Sequence, residues 1–290
     1  MQNRKPFGLL GFPKEGHKSP FCPRPIPVLM YHHINPHKGD MVTVTPEVFE
    51  GQMEFLHKSR YRTLKIDDLL DIINGKLIIK EKSVVVTFDD GWLDNYVYAY
   101  PVLKRYKINA AIFLITDRVE MASNIVRSQE SKIKGQEITI PAHSESKNLI
   151  ANGQSHKVSI NWDMAKEMQD SGLVEFYSHT KSHAKCDRLS EKELWEELHE
   201  SKKIIEEKLS KPCPYLCWPY GKYNETAMQI AKDIGYKAIF TTRHGVVEKN
   251  PNPFSIKRIV VKDNIAWFKK RMVIYTNPII SELYLKIKKK

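Results

Sequence analysis

The run Val84-Val85-Val86-Thr87-Phe88 is dense in β-branched residues and reads as a buried strand. It ends in Asp89-Asp90-Gly91, two adjacent carboxylates and a turn residue. A helical stretch from about Tyr96 to Tyr106 follows, and then a second buried strand, Ala110–Ile115. Strand, helix, strand at this spacing implies parallel pairing, which restricts the chain to α/β architectures.

The alternation continues on both sides. Pro27–Tyr31 reads as a strand running into His32-His33, and Thr45-Pro46-Glu47 as an N-cap with proline at the first helical position. Ile66–Leu70 opens a short helix that ends near Asn74-Gly75. Downstream come a helix at Trp162–Met168, a strand at Val174–Tyr177 and a capping box at Ser190–Glu193. The helix behind that box carries Leu194, Leu198, Ile205 and Leu209 on one face. Tyr215–Trp218 reads as a strand ending at Pro219-Tyr220-Gly221, followed by a helix near 224–234 and strands at Ala238–Thr241 and Ile259–Val261. Residues 118–160 are polar and read as an insertion with little regular structure, part of it a lid. The expected division is an N-terminal arm over 1–25, a catalytic domain over 26–264 and a basic C-terminal extension over 265–290. An α/β barrel and a doubly wound sheet both fit, and both gather active sites at the carboxyl ends of their strands. Chemistry-bearing residues cluster at four such ends, near 32, 89, 179 and 220.

In His179-Thr180-Lys181-Ser182-His183 the two imidazoles are four positions apart, which places them on one face if the segment is a helical turn. Thr180 and Ser182 can hydrogen-bond the turn backbone and hold the rings still. Each segment alone has a plainer reading, the Asp pair as a helix cap and the histidines as surface loop. Together, one carboxylate and two imidazoles are a ligand set for a catalytic divalent metal with one position open. The second carboxylate is then free to act as a base, and the chemistry is metal-assisted hydrolysis. Such a donor set suits zinc first, with cobalt, nickel or iron as alternatives. The backbone N–H of Tyr220 can stabilise an oxyanion.

The chain of 290 residues is 41% hydrophobic and 10% aromatic, ordinary for a globular protein. Its net charge of +12, from 46 basic and 34 acidic residues, favours anions: nucleic acid, anionic lipid or acidic glycan. No recognition-helix, aromatic-platform or zinc-finger pattern supports nucleic acid. The lysines at 286, 288, 289 and 290 fit either a solvated tail or contact with an anionic membrane surface. Cys22, Cys186, Cys213 and Cys217 are too few for a disulfide framework and are expected as reduced thiols. The apolar run near the N-terminus is short and broken by Pro13, Lys14 and Glu15, and no stretch of 18 apolar residues exists. A cytoplasmic location, peripheral to the inner membrane face, is the expectation.

Thr87-Phe88-Asp89-Asp90-Gly91 resembles the first motif of the polysaccharide deacetylases, the nodulation-type carbohydrate esterase family 4. His179-Thr-x-x-His183 matches the second motif, and Trp218-Pro219-Tyr220-Gly221 resembles the third. The resemblance spans about residues 26–262. It implies a deformed (β/α)7 barrel and metal-dependent removal of N-acetyl or O-acetyl groups from a glycan of N-acetylated sugars. It further implies Asp89 as the base, Asp90, His179 and His183 as metal ligands, and Trp218, Pro219 and Gly221 at the substrate. The chain departs from the pattern in three ways. Cys217 stands where the family usually has an arginine, no Asp-Trp motif follows, and no late Leu-x-His motif supplies a general acid. A subgroup resembling the biofilm poly-N-acetylglucosamine deacetylases carries Tyr-His at the end of its first strand, and Met30-Tyr31-His32 fits it. That makes His32 the expected general acid, with His33 and His244 as further candidates, and Arg258 the expected substitute for the missing arginine. The alternatives are a degenerate glycan-binding member and a deacetylase of a lipid-linked sugar.

Overall fold

The computed structural model describes residues 24–37, 39–128, 138–248 and 251–288. Its strands are β1 (Val28–Tyr31), β2 (His33–Ile34), β3 (Thr43–Val44), β4 (Arg62–Thr63), β5 (Ser83–Asp90), β6 (Ala110–Leu114), β7 (Val174–Ser178), β8 (Tyr215–Cys217), β9 (Ala238–His244) and β10 (Ile256–Val260). Its α-helices are α1 (Pro46–Lys58), α2 (Ile66–Ile73), α3 (Tyr100–Tyr106), α4 (Thr116–Ser128), α5 (His143–Ala151), α6 (Trp162–Asp170), α7 (Glu191–Leu209), α8 (Glu225–Asp233), α9 (Ile265–Tyr275) and α10 (Pro278–Lys288).

The apolar run Val84–Phe88 lies in β5, which is buried along its whole length. It is flanked by β6, with Asp89 opposite Phe113, and by β1, with Met30 opposite Thr87. β1 also pairs with β10, Leu29 opposite Ile259. The order β1-β10-β9-β8-β7-β6-β5 therefore returns to β1, and seven strands close a ring in which every pairing is parallel. The fold is the deformed (β/α)7 barrel. β4 adds only to the amino end of β5, and a register shift between β9 and β10 distorts the wall beside Arg258.

The helices form the outer layer because each has one apolar face. In α7, Leu194, Leu198, Ile205 and Leu209 are buried as their spacing requires, each worth about 1.5–3 kcal/mol. The Ser190–Glu193 capping box is complete and adds about 1 kcal/mol.

Two expectations about organisation are corrected. The 118–160 segment is not without regular structure: it contains α4, α5 and a short 3-10 turn at Ser155–Lys157. Its apolar faces are narrow and built from small residues, Val119, Ala122 and Ser123 in α4, so the polar composition hid the periodicity. The boundary at 264 does not divide the packing either, because Phe268, Met272 and Tyr275 of α9 sit in the main core. The expected N-terminal arm lies, up to residue 23, outside the described residues. Among the described residues no helix is long and apolar enough to cross a membrane.

Candidate active site

Residues from five strand ends or strand interiors meet at the carboxyl end of the ring. β5 delivers Asp89 and Asp90, β1 runs into His32, β7 runs into His179, β8 leads to the Trp218–Gly221 turn, and β10 carries Arg258. Asp89 and Asp90 are 2% and 7% exposed. The chain leaves β5 through two successive left-handed residues, Asp90 at φ 76° and Gly91 at φ 71°. For a non-glycine such a conformation costs on the order of 1–3 kcal/mol, and here it turns the Asp90 carboxylate away from that of Asp89.

Asp90 faces two imidazoles. Its Oδ1 lies 3.5 Å from His179 Nε2 and 3.3 Å from His183 Nε2, yet that buried oxygen has no hydrogen-bond partner. Its Oδ2 accepts from the Trp92 Nε1–H at 3.0 Å. His179 Nδ1 lies 2.8 Å from the Cys217 carbonyl, and a carbonyl can only accept, so Nδ1 carries the proton and the Nε2 lone pair points at Asp90. Two donors held about 2.0–2.1 Å from one ion stand roughly 3.0–3.4 Å apart, close to both observed separations. The trio Asp90, His179 and His183 is thus a cluster that could hold a metal ion. Burial lowers the pKa of both histidines, that of His183 to about 3 with His179 as the next cause, which keeps the rings neutral and able to ligate.

The 179–183 segment reaches this arrangement without a helical turn, which corrects the expected geometry. Thr180 and His183 are left-handed, at φ 65° and 69°. Ser178 Oγ accepts from Thr180 N–H and Thr180 Oγ1 from His183 N–H. Glu197 of α7 accepts from the N–H groups of Lys181 and Ser182 and from the Ser182 hydroxyl. Thr180 therefore holds the loop as expected, whereas Ser182 bonds a neighbouring helix.

Asp89 has the opposite surroundings. Arg258 donates to both its oxygens, Nη1 to Oδ1 and Nη2 to Oδ2, each at 2.7 Å. The guanidinium is itself fixed by the Thr241 carbonyl and Thr87 Oγ1, and Cys217 Sγ lies 2.9 Å from Nη2. Burial alone would raise the Asp89 pKa, but Arg258 foremost, then His179 and His32, bring it down to about 2. The arginine missing at position 217 is replaced in space by Arg258 from β10. A second cluster, Asp89, His179 and Cys217, also has donor atoms close together. It is the poorer metal site, since burial holds the Cys217 thiol protonated and Arg258 already occupies Asp89.

His32 Nε2 is 3.8 Å from Asp89 Oδ2, and its Nδ1 is buried without a partner. Asn95 holds the ring's backbone by donating to the His32 carbonyl at 2.8 Å. The other two histidines are engaged elsewhere: His33 Nδ1 lies 2.7 Å from Asp94 Oδ2, and His244 Nε2 lies 3.2 Å from the Tyr275 hydroxyl. Tyr220 is 56% exposed, with its ring 4.5 Å from that of His183. It too is left-handed, at φ 57°. Gly221 follows at φ 65°, and a Cβ there would lie 2.1 Å from Thr242 Oγ1. The turn thus requires glycine for conformation and for space. Trp218 does not face a substrate, which corrects that expectation. It has no exposed surface and stacks on Tyr223 at 5.3 Å inside the second core, and Pro219 is buried as well.

Sequence reasoning missed the residues that support the site from behind. Trp92 positions Asp90, and its ring is stacked on His33 at 4.3 Å, which in turn lies 4.1 Å from His143 of α5. Asp94 holds His33 at the start of β2, and Asn95 holds the backbone of His32 between β1 and β2. The signal was Trp92, Asp94 and Asn95, three side chains with hydrogen-bonding groups within four residues of Gly91.

The comparisons with known proteins agree with this geometry. A model described as polysaccharide deacetylase matches residues 78–239. The "Putative polysaccharide deacetylase YxkH" of Bacillus subtilis (strain 168) is 28% identical over 244 residues, 84% of this chain and 74% of that one. The poly-beta-1,6-N-acetyl-D-glucosamine N-deacetylase of Staphylococcus aureus (strain MSSA476) is 28% identical over 234 residues, 77% of this chain and 69% of that one. The Streptococcus pyogenes deacetylase PplD, solved in complex with acetate, shares the fold, with a TM-score of 0.70 at 24% identity over 88% of this chain and 99% of its own. With more than half the chain inside the matched region and the motif residues converging in space, this protein belongs to the polysaccharide deacetylase family.

Proposed function

We propose that the protein is a metal-dependent N-deacetylase of a polymer or oligomer of N-acetylated glucosamine, releasing acetate and a free amino sugar. The observation that carries this reading is the bare Asp90 Oδ1 aimed at two imidazole nitrogens beside a second, fully paired carboxylate. The substrate class is taken from the S. aureus relative, whose name specifies poly-N-acetylglucosamine.

Asp90, His179 and His183 would hold the ion, zinc first among the candidates. When bound, a divalent ion supplies Lewis-acid polarisation of the scissile carbonyl. Asp89 remains ionised and takes the proton of the attacking water, and Arg258 keeps its oxygens oriented. An ionised carboxylate has about four lone-pair positions, so two bonds from Arg258 leave it able to accept. The Tyr220 N–H stabilises the oxyanion. His32 delivers a proton to the departing amine, which leaves poorly without one. Its replacement by Ala should cost on the order of 10²–10⁴ in rate.

Acetate release from N-acetylglucosamine oligomers tests the reading. Activity should disappear on chelation and return with added zinc, and Asp89→Asn should retain metal while losing activity. Full turnover by the chelated protein would remove the metal from the mechanism, and full turnover by Asp89→Asn would remove the base.

A further inference from the structure

Helix α10 is apolar on the side where a solvated helix is polar. Ile279, Leu283 and Ile287 stand four residues apart on one stripe, and they are 79%, 61% and 66% exposed. Ile280 flanks the stripe, and Val273 of α9 is more than half exposed as well. The stripe is fixed outward because the other side of α10 is anchored. Ser281 is buried, Tyr284 packs edge-on against Tyr275 at 5.9 Å, and the Arg271 guanidinium lies over the Tyr284 ring at 4.5 Å.

The same part of the chain concentrates charge. Residues 262–290 contain eight Lys or Arg and two Asp or Glu, a net +6, so a tenth of the chain carries half of its +12. Lys269 and Lys270 are exposed on α9, and Lys286 is exposed on α10, where it pairs with Glu282. An aliphatic stripe with Lys286 on its own helix, in a segment of net +6 whose Lys269 and Lys270 are exposed on the neighbouring helix, matches the interface of an anionic bilayer, with apolar side chains at the acyl boundary and cations among the phosphates. Nucleic acid would leave three aliphatic side chains against phosphates. A second copy in a two-fold contact would set the basic surface against itself.

We propose that the α9–α10 face docks the protein on an anionic lipid surface. The full chain, sedimented with vesicles, should bind phosphatidylcholine containing about one-third phosphatidylglycerol and not phosphatidylcholine alone, and added salt should weaken the binding. Leu283→Ser with Ile287→Ser should lower the partition coefficient about tenfold or more. Lys269→Gln and Lys270→Gln should lower it about fivefold each. Both pairs are exposed, so melting temperatures should stay at the parent value. The proposal is overturned by equal binding to neutral and anionic vesicles, by no binding to either, or by a Leu283/Ile287 double variant that binds as the parent does. It is also overturned if the parent alone forms a dimer that the double variant abolishes, which would make the occupant a second copy, or if it shifts nucleic acid with an affinity the double variant keeps.

Discussion

Asp89 and Asp90 are neighbours on one strand and are almost equally buried, yet their surroundings are opposites. Arg258 satisfies both oxygens of Asp89, so that side of the site is complete in the protein alone. Asp90 keeps one oxygen without a partner and meets two neutral imidazoles. A buried charge of that kind is stable only when something else completes it. The difference separates a carboxylate that the protein alone completes from one left open, as the proposed base and the proposed metal ligand require. Backbone strain follows the same division: of the left-handed non-glycines, Asp90, Thr180, His183 and Tyr220 surround the incomplete side. Lys107 and Ser210 merely cap helices.

The contrast can be broken at Asp90 first. Asp90→Ala should remove the bound metal and lower acetate release by about a thousandfold or more, measured by elemental analysis after dialysis. A variant that keeps one ion per chain would erase the distinction between the carboxylates. Next, Arg258→Met leaves Asp89 buried without its guanidinium partner, and should cost about 3–5 kcal/mol of stability in a urea titration. An unchanged midpoint would show that the complete side does not depend on its counter-charge. Trp92→Phe keeps the stack on His33 but deletes the N–H that orients Asp90. A fall in metal affinity of about 10–100-fold is expected in a competition with a chelator, with no change if Asp90 is held by the backbone alone. The smallest effect concerns thiols. Burial raises Cys186 and Cys213 to about 12 and Cys217 well above its ordinary value. Thiolate is therefore scarce at pH 8, and iodoacetamide should leave all three intact by mass spectrometry until denaturant is added. Rapid alkylation of Cys217 in the native protein would show that the Asp89 side is open to solvent.

The parts of the site that were legible in the sequence are those carried by contiguous motifs at strand ends. Asp89, Asp90, His179 and His183 follow buried strands whose periodicity is plain, so their convergence followed from parallel pairing. Arg258 was less legible because it lies within β10 and not at its end, and its partner is 169 positions away. Only ring closure brings it to β5. Trp218 misled for the opposite reason: its motif is at the site, but an indole is large, and here its burial in the second core fixes the turn that presents Tyr220. The loop 179–183 defeated helical spacing because Thr180 and His183 adopt conformations that residue type does not announce.

One consequence follows from β1 lying between β10 and β5. His32 reaches Asp89 through the direct pairing of β1 with β5, but Arg258 comes from the final strand and meets Asp89 only when β10 is seated beside β1. A chain halted before residue 256 carries Asp90, His179 and His183 but lacks the guanidinium that pairs with Asp89. The pairing of these two buried opposite charges is thereby tied to completion of the whole tertiary assembly.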